Sequence, residues 1–144
     1  MTESARDPQG LLRYAIVGNA AFSTITGLFI IVAHDWLAHL LGVAGGASLV
    51  GLGIGLLVFA ASLLINARRS EIRLAEAWAV VLMDLAWVAG SYLILPVAPF
   101  TVEGKWIIAM VGDLVLVFAV LQWIGIHRIQ SHVRADRLSH GPSA

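Results

Sequence analysis

Two acids interrupt long apolar runs in this chain. Asp84 stands in the middle of VVLMDLAWVAGS, and Asp113 lies seven residues into a run that begins near Trp106. In an apolar medium a carboxyl can share a proton with a second acid, hold a ligand, or tie helices together as a hydrogen-bonding group. Amides, hydroxyls and an indole stand at spacings that let them take part. Asn19, Ser23 and Thr26 fall at i, i+4 and i+7, one face of a helix. Trp87 and Ser91 follow Asp84 at helical spacing and share its side. Asp84, Asp113, Asn19, Ser23, Trp87 and Ser91 therefore form the candidate intramembrane polar site. Gln122 is nine residues after Asp113, so it points the opposite way and is predicted to face another helix or an oligomer partner.

The elements that must position these groups follow from composition. Of 144 residues, 59% are hydrophobic and only 12% charged, against about half and a quarter in soluble domains. Mean hydropathy is +0.87. Too little polar surface is left to cover a soluble core, so the natural solvent is a lipid bilayer. The formal net charge of zero offers no argument for nucleic acid. With no cysteine, disulfides, thiolate metal sites, iron–sulfur clusters and cysteine nucleophiles are excluded.

Four apolar runs follow a polar tail at 1–10, at about 14–33, 48–67, 75–95 and 106–126. Each is near the roughly 20 residues a helix needs to cross a hydrocarbon core about 30 Å thick. The fold class is all-α: a polytopic bundle of four transmembrane helices over residues 11–130, with a C-terminal tail at 131–144. Glu3 and Asp7 precede the first run and no A-x-A site follows it, so it reads as a retained helix rather than a signal peptide. Arg6, Arg13, Arg68, Arg69, Arg73, Arg128, Arg134 and Arg137 fall on one side and Lys105 alone on the other. The positive-inside rule then puts both termini in the cytoplasm of a multi-pass plasma (inner) membrane protein. Trp36 and Trp106 mark one boundary, Trp78 and Trp123 the other. Between the first two runs, Trp36, Leu37, Leu40 and Leu41 share one helical face, and His34, Asp35 and His39 another, which predicts a short helix lying in the interface. Pro96 and Pro99 end the third run.

An internal repeat is visible. At an offset of 59, Gly53, LVFA at 57–60, Ile65 and Arg69 match Gly112, LVFA at 116–119, Ile124 and Arg128. At an offset of 65, Asn19, Ala21, Phe22 and Leu28 align with Asp84, Ala86, Trp87 and Leu93. Two tandem helical hairpins would account for this, and chance in a low-diversity apolar sequence is the alternative.

The acid at 84 is tolerable but not free. A central Asp costs about 2.5–3.5 kcal/mol on insertion scales. Val80, Val81, Leu82, Leu85, Val88, Leu93, Ile94 and Leu95 return roughly 2–5 kcal/mol in total. Asp84 is expected to face the bundle interior, largely neutral, and at about 1.5 Å per residue both acids are placed near the midplane, close enough to share a proton. Gly51, Gly55, Ser62 and Asn66 share a face of the second helix, where Gly51-x-x-x-Gly55 predicts close helix packing.

Other motifs carry no chemistry. His34 and His39, like His127 and His132, are five apart and do not share a helical face, so no metal or haem ligand set is predicted. GLGIGL lies inside an apolar helix with no strand before it, unlike a nucleotide-binding glycine loop. No Ser-His-Asp set, P-loop or zinc motif is present, and no cofactor is expected. The segment HRIQSHVRADRLSH, with its interspersed arginines, reads as an interfacial helix attracted to anionic lipid.

The stretches NAAFSTITGLFII, GLGIGLLVFAA, DLAWVAGSYLIL and LVFAVLQWIGIHR resemble a group of small bacterial four-helix integral membrane proteins of unknown function and, more loosely, DoxX-like membrane proteins. The resemblance covers about residues 11–130. The broader DoxX-like type is linked to quinone-dependent sulfur oxidation. No redox site is identifiable here, and the resemblance assigns no catalytic residue. The expectation is a non-catalytic accessory or self-associating membrane subunit, partnered by the lipid bilayer and by a second copy or another membrane protein. The alternatives are a small proton-linked transporter using Asp84 and Asp113, and a quinone-linked membrane enzyme subunit.

Overall fold

A computed structural model describes residues 9–139. The predicted tail up to residue 8 and the residues after 139 lie outside it. The described chain forms five helices: α1 (Gly10–Val32), α2 (His34–Leu41), α3 (Ala47–Ala67), α4 (Leu74–Ile94) and α5 (Val102–Ser139). All but α2 are long and apolar enough to cross a membrane, and the 21 residues of α3 or α4 reach about 31 Å. Because these helices are apolar nearly all round, no amphipathic stripe orients them. Glycines and a few polar side chains decide which faces meet.

Local chemistry explains where the boundaries differ from the apolar runs. Helix α1 starts at Gly10, earlier than 14, because the Gln9 carbonyl accepts the Arg13 amide at 2.9 Å and opens the first turn. Helix α5 starts at Val102, earlier than 106, because Thr101 caps it, its Oγ1 accepting the Gly104 amide at 2.9 Å. It then runs on to Ser139 rather than ending near 126. Nothing stops it before Gly141-Pro142. The predicted tail at 131–144 is thus helical as far as Ser139. Helix α4 ends at Ile94, two residues before Pro96.

Helix α1 packs on α3, α4 packs on α5, and α1 joins the two hairpins by packing on α5. Helices α3 and α4 are consecutive yet scarcely touch. The arrangement is therefore an open bundle in the order α3–α1–α5–α4, with a gap between its outer members. At the Arg-rich end the gap is filled by a core that includes Leu12, Ile16, Leu63, Val81 and Ile126. The α3–α4 turn is fastened there: the Arg13 guanidinium donates to the carbonyls of Ala67, Arg69 and Ser70. Asn66 Oδ1 accepts the Arg73 amide, and Arg69 and Arg73 pair with Glu76.

The closest helix crossing is not the one expected. Gly51 and Gly55 are exposed, with open space where a Cβ would stand, and Ser62 is exposed with its hydroxyl donating to the Phe59 carbonyl. Gly53, two residues from each and so on the other side of α3, is the buried one. A Cβ on Gly53 would lie 2.7 Å from the Gly27 carbonyl oxygen, and one on Gly27 would lie 2.8 Å from that of Gly53. Asn66 is buried, but at the turn rather than in a helix crossing.

Helix α2 forms where predicted and roofs the other end of the bundle. It closes with a Schellman motif: Gly42 is left-handed (φ 75°), with Val43 N–H donating to Ala38 and Gly42 N–H to His39. Thr101 holds α2 onto α5, its hydroxyl donating to Leu40 O at 2.5 Å and its amide to Leu41 O at 3.1 Å. Leu37, Ala38 and Leu41 turn inward, while Trp36 stays exposed and meets Phe29 edge-on.

Candidate functional site

Between the closed core and the roof lies a cleft of about 620 Å³. It occupies the half of the bundle at the Lys105 end. Its walls come from α1 (Asn19 to Ile30), α3 (Leu49 to Phe59), α4 (Met83 to Ser91) and α5 (Ile107 to Val115), and its roof from Leu37 and Leu41. The gap between α3 and α4 leaves it open on one side, toward what is lipid when the helices span a membrane. Its surface is almost wholly apolar, and Phe22, Phe29, Phe59 and Trp87 are its aromatic members. Gly51 and Gly55 belong to this lining. The small-residue face of α3 thus makes room rather than contact.

Asp84 lies at the floor of the cleft, 3% exposed. Its Oδ2 accepts two hydrogen bonds, from Asn19 Nδ2 at 2.7 Å and from Gln122 Nε2 at 3.2 Å. Behind Asn19, the Ser23 hydroxyl donates to Asn19 Oδ1 at 3.4 Å. The carboxylate, which only accepts, takes the amide N–H and leaves Asn19 Oδ1 toward Ser23. A chain thus runs Ser23 to Asn19 to Asp84, with Gln122 completing it from α5. Both donors are neutral amides. Among the described residues no group hydrogen-bonds Asp84 Oδ1, which leaves one carboxyl oxygen for the cleft. Ser23, Thr26, Trp87 and Ser91 also line it.

The structure brings Asn19, Ser23, Asp84, Trp87 and Ser91 to one cleft and removes Asp113 from them. Asp113 is exposed and accepts a hydrogen bond from Tyr92 at 2.5 Å. The reason is depth as well as direction. Gln122 marks the level of Asp84 on α5, and Asp113 is nine residues, about 13 Å, nearer the Lys105 end. Tyr92, its partner, is likewise about 12 Å from Asp84 along α4. Asp113 is held by Tyr92 on the exposed side of the α4–α5 pair, and the expected proton-sharing pair does not form.

Gln122 points away from Asp113, as expected, and the helix it faces is α4. Nine residues is half a turn out of phase, so an outward Asp113 requires an inward Gln122. It is fully buried, with Oε1 unpartnered. Burial shows the inward face of α5: Val115, Ala119, Gln122, Ile126 and Ile129 recur at alternating spacings of four and three and are all buried, although the residues between Val115 and Ile126 are equally apolar. Gln122 occupies a core position of that stripe. Among the described residues no cluster of His, Asp and Glu has the geometry to hold a metal ion.

Compared with known proteins, the chain matches no family model, no curated protein and no solved structure, so any assignment of function rests on its own geometry.

Proposed function

We propose that this is a non-catalytic integral membrane protein that takes a lipophilic molecule from the bilayer into the cleft between α3 and α4, with Asp84 as its polar anchor. The observation that carries this reading is a cleft of about 620 Å³, almost wholly apolar, at whose floor one buried carboxyl keeps a free oxygen. Small-molecule sites share that character: several hundred cubic ångströms, mostly apolar, with a few convergent polar groups. In a plasma (inner) membrane, the charge distribution favours the Arg-rich end and both termini in the cytoplasm, so the cleft would open to the outer leaflet. Proton-linked transport across the membrane would require the core of Leu12, Ile16, Leu63, Val81 and Ile126 to part. Binding requires no such movement.

The test uses Trp87 as the reporter. A variant keeping Trp87, with Trp36, Trp78, Trp106 and Trp123 changed to Phe, is reconstituted in phosphatidylcholine brominated at mid-chain. Bromines entering the cleft should quench Trp87, and Gly55→Phe, which fills the cleft from α3, should relieve the quenching. Trp87 fluorescence insensitive to the bromines, or equally quenched with Gly55→Phe, rules the reading out.

A further inference from the structure

We propose that the cleft selects hydrophobic organic cations, with Asp84 as their counter-charge and the proton as their competitor. The proposal rests on the reading that the cleft takes up a molecule from the lipid phase, and adds that molecule's chemical class.

It follows from an inventory of charge. Asp84 is the one ionisable side chain among the residues lining the cleft. What faces it is neutral on every side: Asn19 and Ser23 from α1, Gln122 from α5, and glycine, leucine and phenylalanine from α3. No basic side chain lines the cleft, and on α5 the His127 ring packs on Trp78 and Trp123 instead. Arg13 donates to the carbonyls that end α3, and Arg69 and Arg73 pair with Glu76 at the turn. The ionised site is therefore short of one positive charge, and a buried charge must be paired or neutralised. A neutral lipid chain brings no such charge, and an anion is repelled with the full strength that low dielectric gives to like charges.

The kind of cation is set by the walls. A bare metal ion needs several oxygen ligands, and this cleft offers one free carboxyl oxygen amid apolar surface. A transmembrane helix, about 10–12 Å across with its side chains, does not fit a space of about 620 Å³. An organic cation of diffuse charge, such as a quaternary ammonium or phosphonium, suits both features. Its apolar groups replace lipid against Leu52, Leu56 and Ile108, and its charge meets Asp84 Oδ1 with Phe22, Phe59 and Trp87 nearby. Aromatic faces attract such cations directly. The same Oδ1 is where a proton must sit when Asp84 is neutral, because the two amides already donate to Oδ2. Cation and proton thus compete for one oxygen.

The experiment measures tetraphenylphosphonium binding to the full chain in phosphatidylcholine nanodiscs, against empty nanodiscs. Tetraphenylborate is the control of the same shape and opposite charge, and triphenylphosphine oxide the neutral one. Saturable binding of the phosphonium alone is expected, weakening by up to about tenfold per pH unit once Asp84 takes up protons. Asp84→Asn, checked for helix content, should lower affinity at least about tenfold, the loss of one charge pair in low dielectric. Asp84→Glu should keep both the binding and its pH dependence, and decides the matter if Asp84→Asn fails to fold. Equal binding of the three probes, binding unchanged in a folded Asp84→Asn, or a flat pH profile overturns the proposal. If Trp87 is still quenched by brominated lipid in those cases, the cleft reading stands and only the charge selectivity falls. If Trp87 is not quenched, both fall.

Discussion

Asn19 and Asp84, 65 residues apart in the chain, meet through a 2.7 Å hydrogen bond at the centre of the bundle. That separation is also the offset at which the first helices of the two hairpins align. The two residues occupy corresponding places on α1 and α4, and each is the other's partner. Gln122 reaches the same carboxyl oxygen from α5, so three of the four long helices are tied at one atom.

The tie has a measurable signature. Asn19→Leu removes a donor and leaves Asp84 with Gln122 alone, so it should destabilise by about 1–3 kcal/mol, the usual cost of stranding a buried polar group. Replacing Asn19, Asp84 and Gln122 together with Leu removes the polar groups as a set and should recover most of that loss. Reversible unfolding in mixed micelles checks both. A triple variant no more stable than Asn19→Leu would show that the network contributes net stability rather than specificity.

The glycines of α3 separate into two classes, which substitution can distinguish. Gly53→Ala puts a Cβ 2.7 Å from the Gly27 carbonyl oxygen and 2.6 Å from Ile31 Cγ1, and should cost about 1–3 kcal/mol through overpacking. Gly51→Ala and Gly55→Ala meet nothing within 4 Å, and should be neutral or stabilise by up to about 1 kcal/mol through helix propensity. The same unfolding measurement ranks them. The opposite ranking would mean that Gly51-x-x-x-Gly55 is the packing motif after all.

Both residue sets show what was legible from sequence. Four spanning helices, the short helix at 34–41 and the stop before Pro96 were readable because length, hydropathy and turn residues act locally. The meeting of Asn19 with Asp84 was readable because both stand near the middle of their helices and share the repeat offset. That offset also equates Gly27 with Tyr92, and the companion offset of 59 equates Gly53 with Gly112. Gly27 meets Gly53 in the first hairpin, and Tyr92 lies against Gly112 in the second, where a Cβ on Gly112 would stand 3.7 Å from Tyr92 Cε2. The hairpins therefore cross at corresponding points, which supports the duplication. Rotation was harder to read. In helices apolar all round, Asp113 and Gln122 are each plausible inward residues, and only the buried stripe from Val115 to Ile129 decides between them. Gly53 and Gly51 differ only in whether α3 faces α1 or the gap, and the gap exists because α4 packs on α5 instead of α3.

Asp113 offers a direct control on the site. Asp113→Asn and Tyr92→Phe act on an exposed pair about 12 Å from Asp84 along the helix. Each should change stability by about 0.5–1.5 kcal/mol, as hydrogen bonds between membrane helices do. Each should also leave tetraphenylphosphonium binding and its pH dependence as in the unaltered protein. Loss of binding in Asp113→Asn would return that acid to the site and undo the assignment of Asp84 as its sole charge.

Arg13 makes the last case, because its side chain replaces contacts that α3 and α4 do not make with each other. Its guanidinium donates to three carbonyls at the end of α3 and in the turn that follows, where the helix dipole also favours a cation. Hydrogen bonds from a charged donor contribute about 1.5–3 kcal/mol. Arg13→Ala should therefore make opening of the 68–73 turn about ten- to a hundredfold more frequent. Arg68 and Arg73 are exposed there, so trypsin added to the protein in detergent micelles reads that opening as a cleavage rate. Cleavage between α3 and α4 should accelerate by that factor in Arg13→Ala and by less in Arg13→Lys, which keeps the charge but not the fork of donors. An unchanged rate in Arg13→Ala would mean that the core of Leu12, Ile16, Leu63 and Ile126 holds the turn closed without it.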